Sequence, residues 1–289
     1  MFFPASVLPV LLGTAWGYRV AGHVDWLAFG LALAAVVGVH AGANVLNDVY
    51  DALSGADEGN DARVFPFTGG SRFIQNGVMS VGDMARWGGG LLIVSVVPGG
   101  LLVIDRGLGV LAFGLGGLAL AVLYSAPPLR LAARGLGEAT VGAAFGVLPV
   151  VGAAWLQSGR LDANALLMSV PVSLWVANIL LINEIPDAAA DRAAGKRTLA
   201  VRLGKRGTDA LYLASNLLAA LVVGAVIVRG LLPVWAGVGS VVLLGLAVGA
   251  AITVLGGPSR ARLRYAIEAT LAIHALGTLW LIAWVAVTS

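Results

Sequence analysis

Two short acidic runs, Asn47-Asp48-Val49-Tyr50-Asp51 and Asn183-Glu184-Ile185-Pro186-Asp187-Ala188-Ala189-Ala190-Asp191, each close an apolar stretch of a chain that carries little other charge. A carboxylate near the hydrocarbon of a membrane costs several kcal/mol unless something compensates it. A divalent cation is the natural compensator. In the first run Asn47 and Asp51 are four residues apart, so a helix ending near residue 51 carries both on one face. Asp48 is turned about 100° away from Asn47 on such a helix and belongs less clearly to the same site. Asp57 follows Gly55 in a turn that can fold back and add another oxygen. The second run repeats the spacing, with Asp187 and Asp191 four apart and Asn183 one turn earlier. Magnesium is commonly held by one or two carboxylates, waters and substrate phosphate oxygens, so two sparse sets facing one pocket suit Mg²⁺ and a diphosphate. Solvated loop acids are the plain alternative for either run alone. The shared spacing argues against it for both together.

Basic residues follow each acidic run. Lys196 and Arg197 come just after the second, and Arg72 follows Gly69-Gly70-Ser71 after the first; each can take phosphate charge that metal leaves unbalanced. Topology and lipid headgroups account equally well for Arg202, Lys205 and Arg206. Glu268, inside an apolar stretch, reads as a structural polar contact.

The elements that position these groups are membrane helices. Of 289 residues, 59% are hydrophobic and only 11% charged, with a mean hydropathy of +0.92. That composition excludes an ordinary soluble domain. The absence of cysteine excludes a disulfide framework, a thiolate metal site and a catalytic thiol, and the three scattered histidines do not resemble a zinc or haem site. Spans of about 20 apolar residues cross the hydrocarbon core. The polar breaks predict about nine, near 5–22, 26–48, 84–104, 108–126, 136–157, 164–185, 209–229, 231–255 and 265–287. The expected fold is therefore an all-α, polytopic membrane protein formed by one domain over 1–289, with long cytoplasmic cap loops at about 51–80 and 186–207. Pro186 is expected to kink or start a helix. The first stretch resembles a signal peptide but lacks a basic start and leads into another span, so it reads as a retained helix.

Of the 18 Lys and Arg residues, only Arg19, Arg106, Arg160 and Arg229 fall outside the loops after even-numbered helices and their edges. The positive-inside rule then places the N-terminus and both acidic runs on the cytoplasmic side of the plasma (inner) membrane. That bias explains the basic pI near 9.6 without nucleic acid, and no obligate protein partner is evident.

The pattern Asn47-Asp48-x-x-Asp51 with Gly55-x-Asp57, and the run Asp187-x-x-x-Asp191-Arg192-x-x-Gly195-Lys196-Arg197-Thr198-Leu199, resemble the UbiA superfamily of intramembrane prenyltransferases. The resemblance extends to the opening from Pro4 to Thr14, to Tyr124-Ser125-Ala126-Pro127-Pro128-Leu129 and to nine helices. The long first loop with Gly-Gly-Ser-Arg looks most like the menaquinone branch, the 1,4-dihydroxy-2-naphthoate polyprenyltransferases, although Pro186 stands where many of that branch carry Arg. The resemblance implies helices around a central cavity. It implies Mg²⁺ held by Asn47, Asp51 and Asp57, with Asp48 as a weaker candidate, and a second Mg²⁺ held by Asp187 and Asp191. These would clamp the diphosphate of an allylic polyprenyl donor, assisted by Arg72, Lys196, Arg197 and Asn183, with Tyr124 lining the cavity, for transfer to an aromatic acceptor. Other acceptors of such enzymes are 4-hydroxybenzoate, homogentisate or a glycerol phosphate lipid. A competing class is an ion-coupled carrier, but here the acids sit at helix ends and no inverted repeat is evident in the hydropathy.

Overall fold

The computed structural model describes residues 2–255 and 259–288. Among them there are helices and turns but no strand. Nine helical rods follow in order: α1 (Pro4–Ala21), α2 (Trp26–Ser54), α3 (Val81–Arg106), α4 (Gly109–Ser125), α5 (Gly137–Ser158), α6 (Ala163–Ala193), α7 (Leu199–Val228), α8 (Ala236–Leu255) and α9 (Arg260–Val287). Seven of these are long and apolar enough to cross a membrane; α4 is a shorter apolar helix. The chain is an all-helical, multi-span membrane protein.

Capping residues set the helix starts. Asp25, Ser80, Asp162, Thr198 and Ser259 each accept a backbone N–H of the first turn of α2, α3, α6, α7 and α9 respectively. Gly55 ends α2 in a left-handed conformation that costs glycine least. In α5 one π turn, Ala143–Val147, turns Phe145 toward His40 of α2, their ring centroids 4.7 Å apart.

Helix α6 is the hub. Met168, Val172, Trp175 and Val176 are buried in it, and the main core joins α6 to α1, α5, α7, α8 and α9. Helix α3 instead turns Ile93, Val94, Val97 and Ile104 outward, the side chains a lipid-facing helix presents. The fourfold spacing of Gly13 and Gly17 lets α1 lie directly on α5. A Cβ on Gly13 would stand 2.3 Å from the Val150 carbonyl oxygen, a backbone atom that cannot step aside. Gly13→Ala is therefore expected to destabilise by about 1–3 kcal/mol, read as a lowered Tm of the detergent-solubilised protein.

The second cap differs from its expected form. Helix α6 continues through Pro186 to Ala193, and α7 begins at Leu199, so the segment is a helix–turn–helix rather than a loop. Proline removes a single helical hydrogen bond, and the packing of the turns on either side outweighs that loss. The bend falls instead at Gly204, whose φ of 63° and ψ of 178° break α7. The first cap, expected over about 51–80, starts later: helix α2 runs on to Ser54, and residues 55–80 form turns without helix.

Candidate active site

A cavity of about 680 Å³ opens between α1, α2, α4, α5 and α6. Its long wall is apolar, with Val36, Val39, Phe113, Leu148 and Trp155. Its polar end holds Asn47, Asp48, Asp51, Asp57, Asn183, Asp187, Asp191 and Lys196. Tyr124 lines the same cavity. The C-terminal ends of α2 and α6 thus bring the two acidic runs to one place.

Lys196 joins them. Its Nζ lies 2.9 Å from Asp51 Oδ1 and 3.1 Å from Asp191 Oδ1, with all three side chains less than one-fifth exposed. The turn after α6 delivers this lysine, its backbone N–H closing on the Asp191 carbonyl at 2.8 Å. Burial works against the ammonium charge, but Asp51 and Asp191 outweigh it and hold the lysine above its ordinary range, so it stays cationic. Asn47 Nδ2 donates to Asp51 Oδ2 at 2.9 Å, and Ser125 Oγ donates to Asn47 Oδ1 at 2.9 Å, which fixes the amide's orientation. Asn60 Nδ2 donates to Asp187 Oδ1 at 2.6 Å.

The first cap loop corrects the reading of Asp48. It folds back over the helix end so that Ser71 N–H donates to Asp48 Oδ2 at 3.2 Å. Gly70, at φ 64°, sits between two carboxyls: a Cβ there would come within 2.9 Å of Asp57 Oδ2 and 3.0 Å of Asp48 Oδ1. Asp48 therefore faces the site, because the loop supplies a wall that a helical wheel does not contain.

Two expected diphosphate groups lie elsewhere. Arg72, at φ 59°, lines a separate surface pocket with Arg63, Arg260 and Arg264. Arg197 is exposed; its backbone bonds Ala133, and its side chain does not line the cavity. Both follow the acidic runs closely in sequence, but the turns carry them outward. Asn183 does line the cavity, and its Oδ1 is buried without a hydrogen-bond partner among the described residues. Glu268 is a structural contact, paired with Arg264 Nε at 2.7 Å. Sequence reasoning missed Asn60, Thr68 and Ser125, whose ordinary residue types carry no signal until the loop and α4 are in place.

The donor set suits a hard divalent cation. Five aspartates face one lysine at the cavity's polar end, an excess of negative charge that a cation would neutralise. Magnesium completes its shell with water and phosphate oxygens rather than a full protein cage; among the described residues no three acidic or imidazole groups form such a cage. Asp57 is informative here: burial first, then the charges of Asp51 and Asp48, push its carboxyl up to about 6. A cation must displace that proton, so apparent magnesium affinity is expected to fall as pH drops from 7 to 5, less steeply in Asp57→Asn. The folded carboxyl keeps its proton to higher pH than the unfolded one, so the ligand-free protein should also lose stability as pH rises from 3.8 through about 6. Metal titrations and melting curves across that range check both.

Carboxylates paired across two helix ends, at the polar end of an otherwise apolar cavity in a membrane protein, suit an amphiphile whose polar head meets a cation. The UbiA prenyltransferase family profile matches residues 6–272. The chain belongs to that family and is a prenyltransferase, which sets aside the carrier alternative. It is 27% identical to 1,4-dihydroxy-2-naphthoate octaprenyltransferase of Bacillus subtilis over 233 residues, covering 80% of this chain and 72% of that protein. It is 32% identical to UbiA prenyltransferase domain-containing protein 1 of Xenopus tropicalis over 213 residues, covering 73% of this chain but only 59% of that protein's length. In fold it matches a UbiA homolog from Archaeoglobus fulgidus, solved bound to DMAPP and Mg²⁺, with a TM-score of 0.69 at 18% identity over 99% of this chain and 96% of that one.

Proposed function

We propose that this protein transfers a polyprenyl group from an allylic polyprenyl diphosphate to an aromatic acceptor, 1,4-dihydroxy-2-naphthoate in menaquinone biosynthesis, with magnesium. The observation that carries the reading is the junction of both acidic motifs on Lys196 at the polar end of an otherwise apolar cavity. The likeness to naphthoate prenyltransferases supports the acceptor. Asn47, Asp48, Asp51 and Asp57 would hold one ion, and Asp187 and Asp191 another. Bound magnesium neutralises charge building on the diphosphate as the donor's C–O bond breaks. Lys196, already between the motifs, would donate an ammonium N–H to a diphosphate oxygen, and Asn183 would donate its amide N–H to the same group. Asn60 and Ser125 hold Asp187 and Asn47 in place. The apolar wall takes the prenyl tail and keeps water from the reactive allylic carbon, so the electron-rich ring is the nucleophile within reach. As the donor's C–O bond to diphosphate breaks, the ring carbon bonds the prenyl carbon and then loses a proton or a substituent to restore aromaticity. The bias of basic residues supports a site facing the cytoplasm from the plasma membrane.

Incubation with geranylgeranyl diphosphate, Mg²⁺, a panel of hydroxylated aromatic acids and a glycerol phosphate lipid, with products identified by mass spectrometry, tests the reading. A prenylated naphthoquinol is expected. A prenylated benzoate or a glycerol ether as the sole product would overturn the acceptor assignment.

A further inference from the structure

Four arginines from separate stretches of the chain meet in one pocket that the reaction leaves unused. Arg63 and Arg72 come from the first cap loop, Arg260 and Arg264 from the start of α9, and together they line a surface cavity of about 600 Å³. Asp61 is the one acid among its lining residues. Arg264 pairs with Glu268, but among the described residues no carboxylate stands within ion-pair distance of Arg63, Arg72 or Arg260. The contacts of Arg260 and Arg63 are neutral. Arg260 Nη2 donates to the Asp61 backbone carbonyl at 2.6 Å, and the Arg63 guanidinium lies over the exposed Phe65 ring, 5.8 Å from its centroid.

The positive-inside bias explains why arginines are numerous at this end of the molecule. It does not explain why residues 63, 72, 260 and 264 converge, since like charges gathered in one pocket repel. Arg260 is also the first residue of α9, where the helix dipole favours an anion over a cation. An anion in the pocket answers both. Guanidinium forks match phosphate oxygens in pairs, and basic pockets beside membrane helices take the headgroups of anionic lipids. The pocket also adjoins the active site: Asn60, which donates to Asp187, lines both cavities.

We propose that the four-arginine pocket binds a phosphate-bearing anion, the headgroup of an anionic membrane lipid or free phosphate, and that this anion ties the first cap loop to the start of α9. The loop so held carries Asn60 against Asp187 and Ser71 against Asp48. The anion therefore steadies the cap from outside the active cavity, whichever acceptor that cavity takes.

Hydrogen–deuterium exchange over residues 60–76, read by mass spectrometry with chelator present, tests this. The full protein is held in nanodiscs of phosphatidylcholine alone, of phosphatidylcholine with phosphatidylglycerol, or of phosphatidylcholine with inorganic phosphate in the buffer. The anion that fills the pocket is expected to slow exchange across the loop about tenfold. Slowing with phosphatidylglycerol alone assigns the lipid headgroup; slowing with inorganic phosphate, as well or instead, assigns the free anion. Arg63→Gln and Arg260→Gln, singly and together, should abolish the effect. Arg206→Gln, an exposed basic residue outside the pocket, should keep it. Slowing with neither probe would overturn the proposal. So would slowing that Arg206→Gln removes equally, which is general surface charge, and slowing that survives in the arginine pair but is lost in Lys196→Met, which puts the anion among the aspartates.

Discussion

Asp51→Ala and Asp187→Ala are each expected to lower prenyl transfer by at least about a hundredfold, the scale seen when one preorganised electrostatic group is removed from a transition-state site. Each aspartate comes from a different helix, and the account requires both. Asp51 ties Asn47 to Lys196, whereas Asp187 is held by Asn60 of the first cap loop. Neither change should prevent folding, because the cavity end holds five aspartates against one lysine and removing one relieves repulsion. Lys196 keeps Asp191 as a partner when Asp51 is lost. Activity in membranes with added Mg²⁺, alongside the amount of inserted protein, checks this. Near-normal activity in both variants would sink the two-motif site.

Lys196→Met should produce a different pattern. It leaves partly exposed Asp51 and buried Asp191 without their shared cation, and breaking such a pair costs up to about 3 kcal/mol. The ligand-free variant should melt markedly lower than the unsubstituted protein. Added Mg²⁺ should recover much of that stability, since an ion replaces the missing charge between the carboxylates. It should not recover donor binding, because the ammonium that meets the diphosphate is gone. The expected result is a stability deficit that magnesium narrows and a kcat/KM for the donor that stays depressed about a hundredfold. Recovery of both by magnesium would mean that Lys196 serves only to neutralise the empty site.

Much of this was legible in the sequence because membrane helices announce themselves. Spans expected at 26–48 and 136–157 appear as Trp26–Ser54 and Gly137–Ser158, since long apolar runs leave few alternatives to a helix. The fourfold spacing of Asn47 with Asp51, and of Asp187 with Asp191, survives because both helices run on through their acidic ends. What was not legible depends on how turns travel. Asp48 enters the site only because Gly70 and Ser71 fold back onto it. Arg72 leaves it because that loop carries it to the surface, and Arg197 because the turn after α6 does the same. Pro186 looked like a break, yet packing around α6 carries the helix past it.

The most direct measurement is binding of a non-ionisable allylic diphosphate analogue, by calorimetry, to the unsubstituted protein and to Asp51→Ala and Asp187→Ala, with Mg²⁺ and with chelator. If both motifs hold one diphosphate through magnesium, tight binding requires the metal and is lost in each variant. Tight binding that survives chelation, or that survives removal of either aspartate, would contradict it.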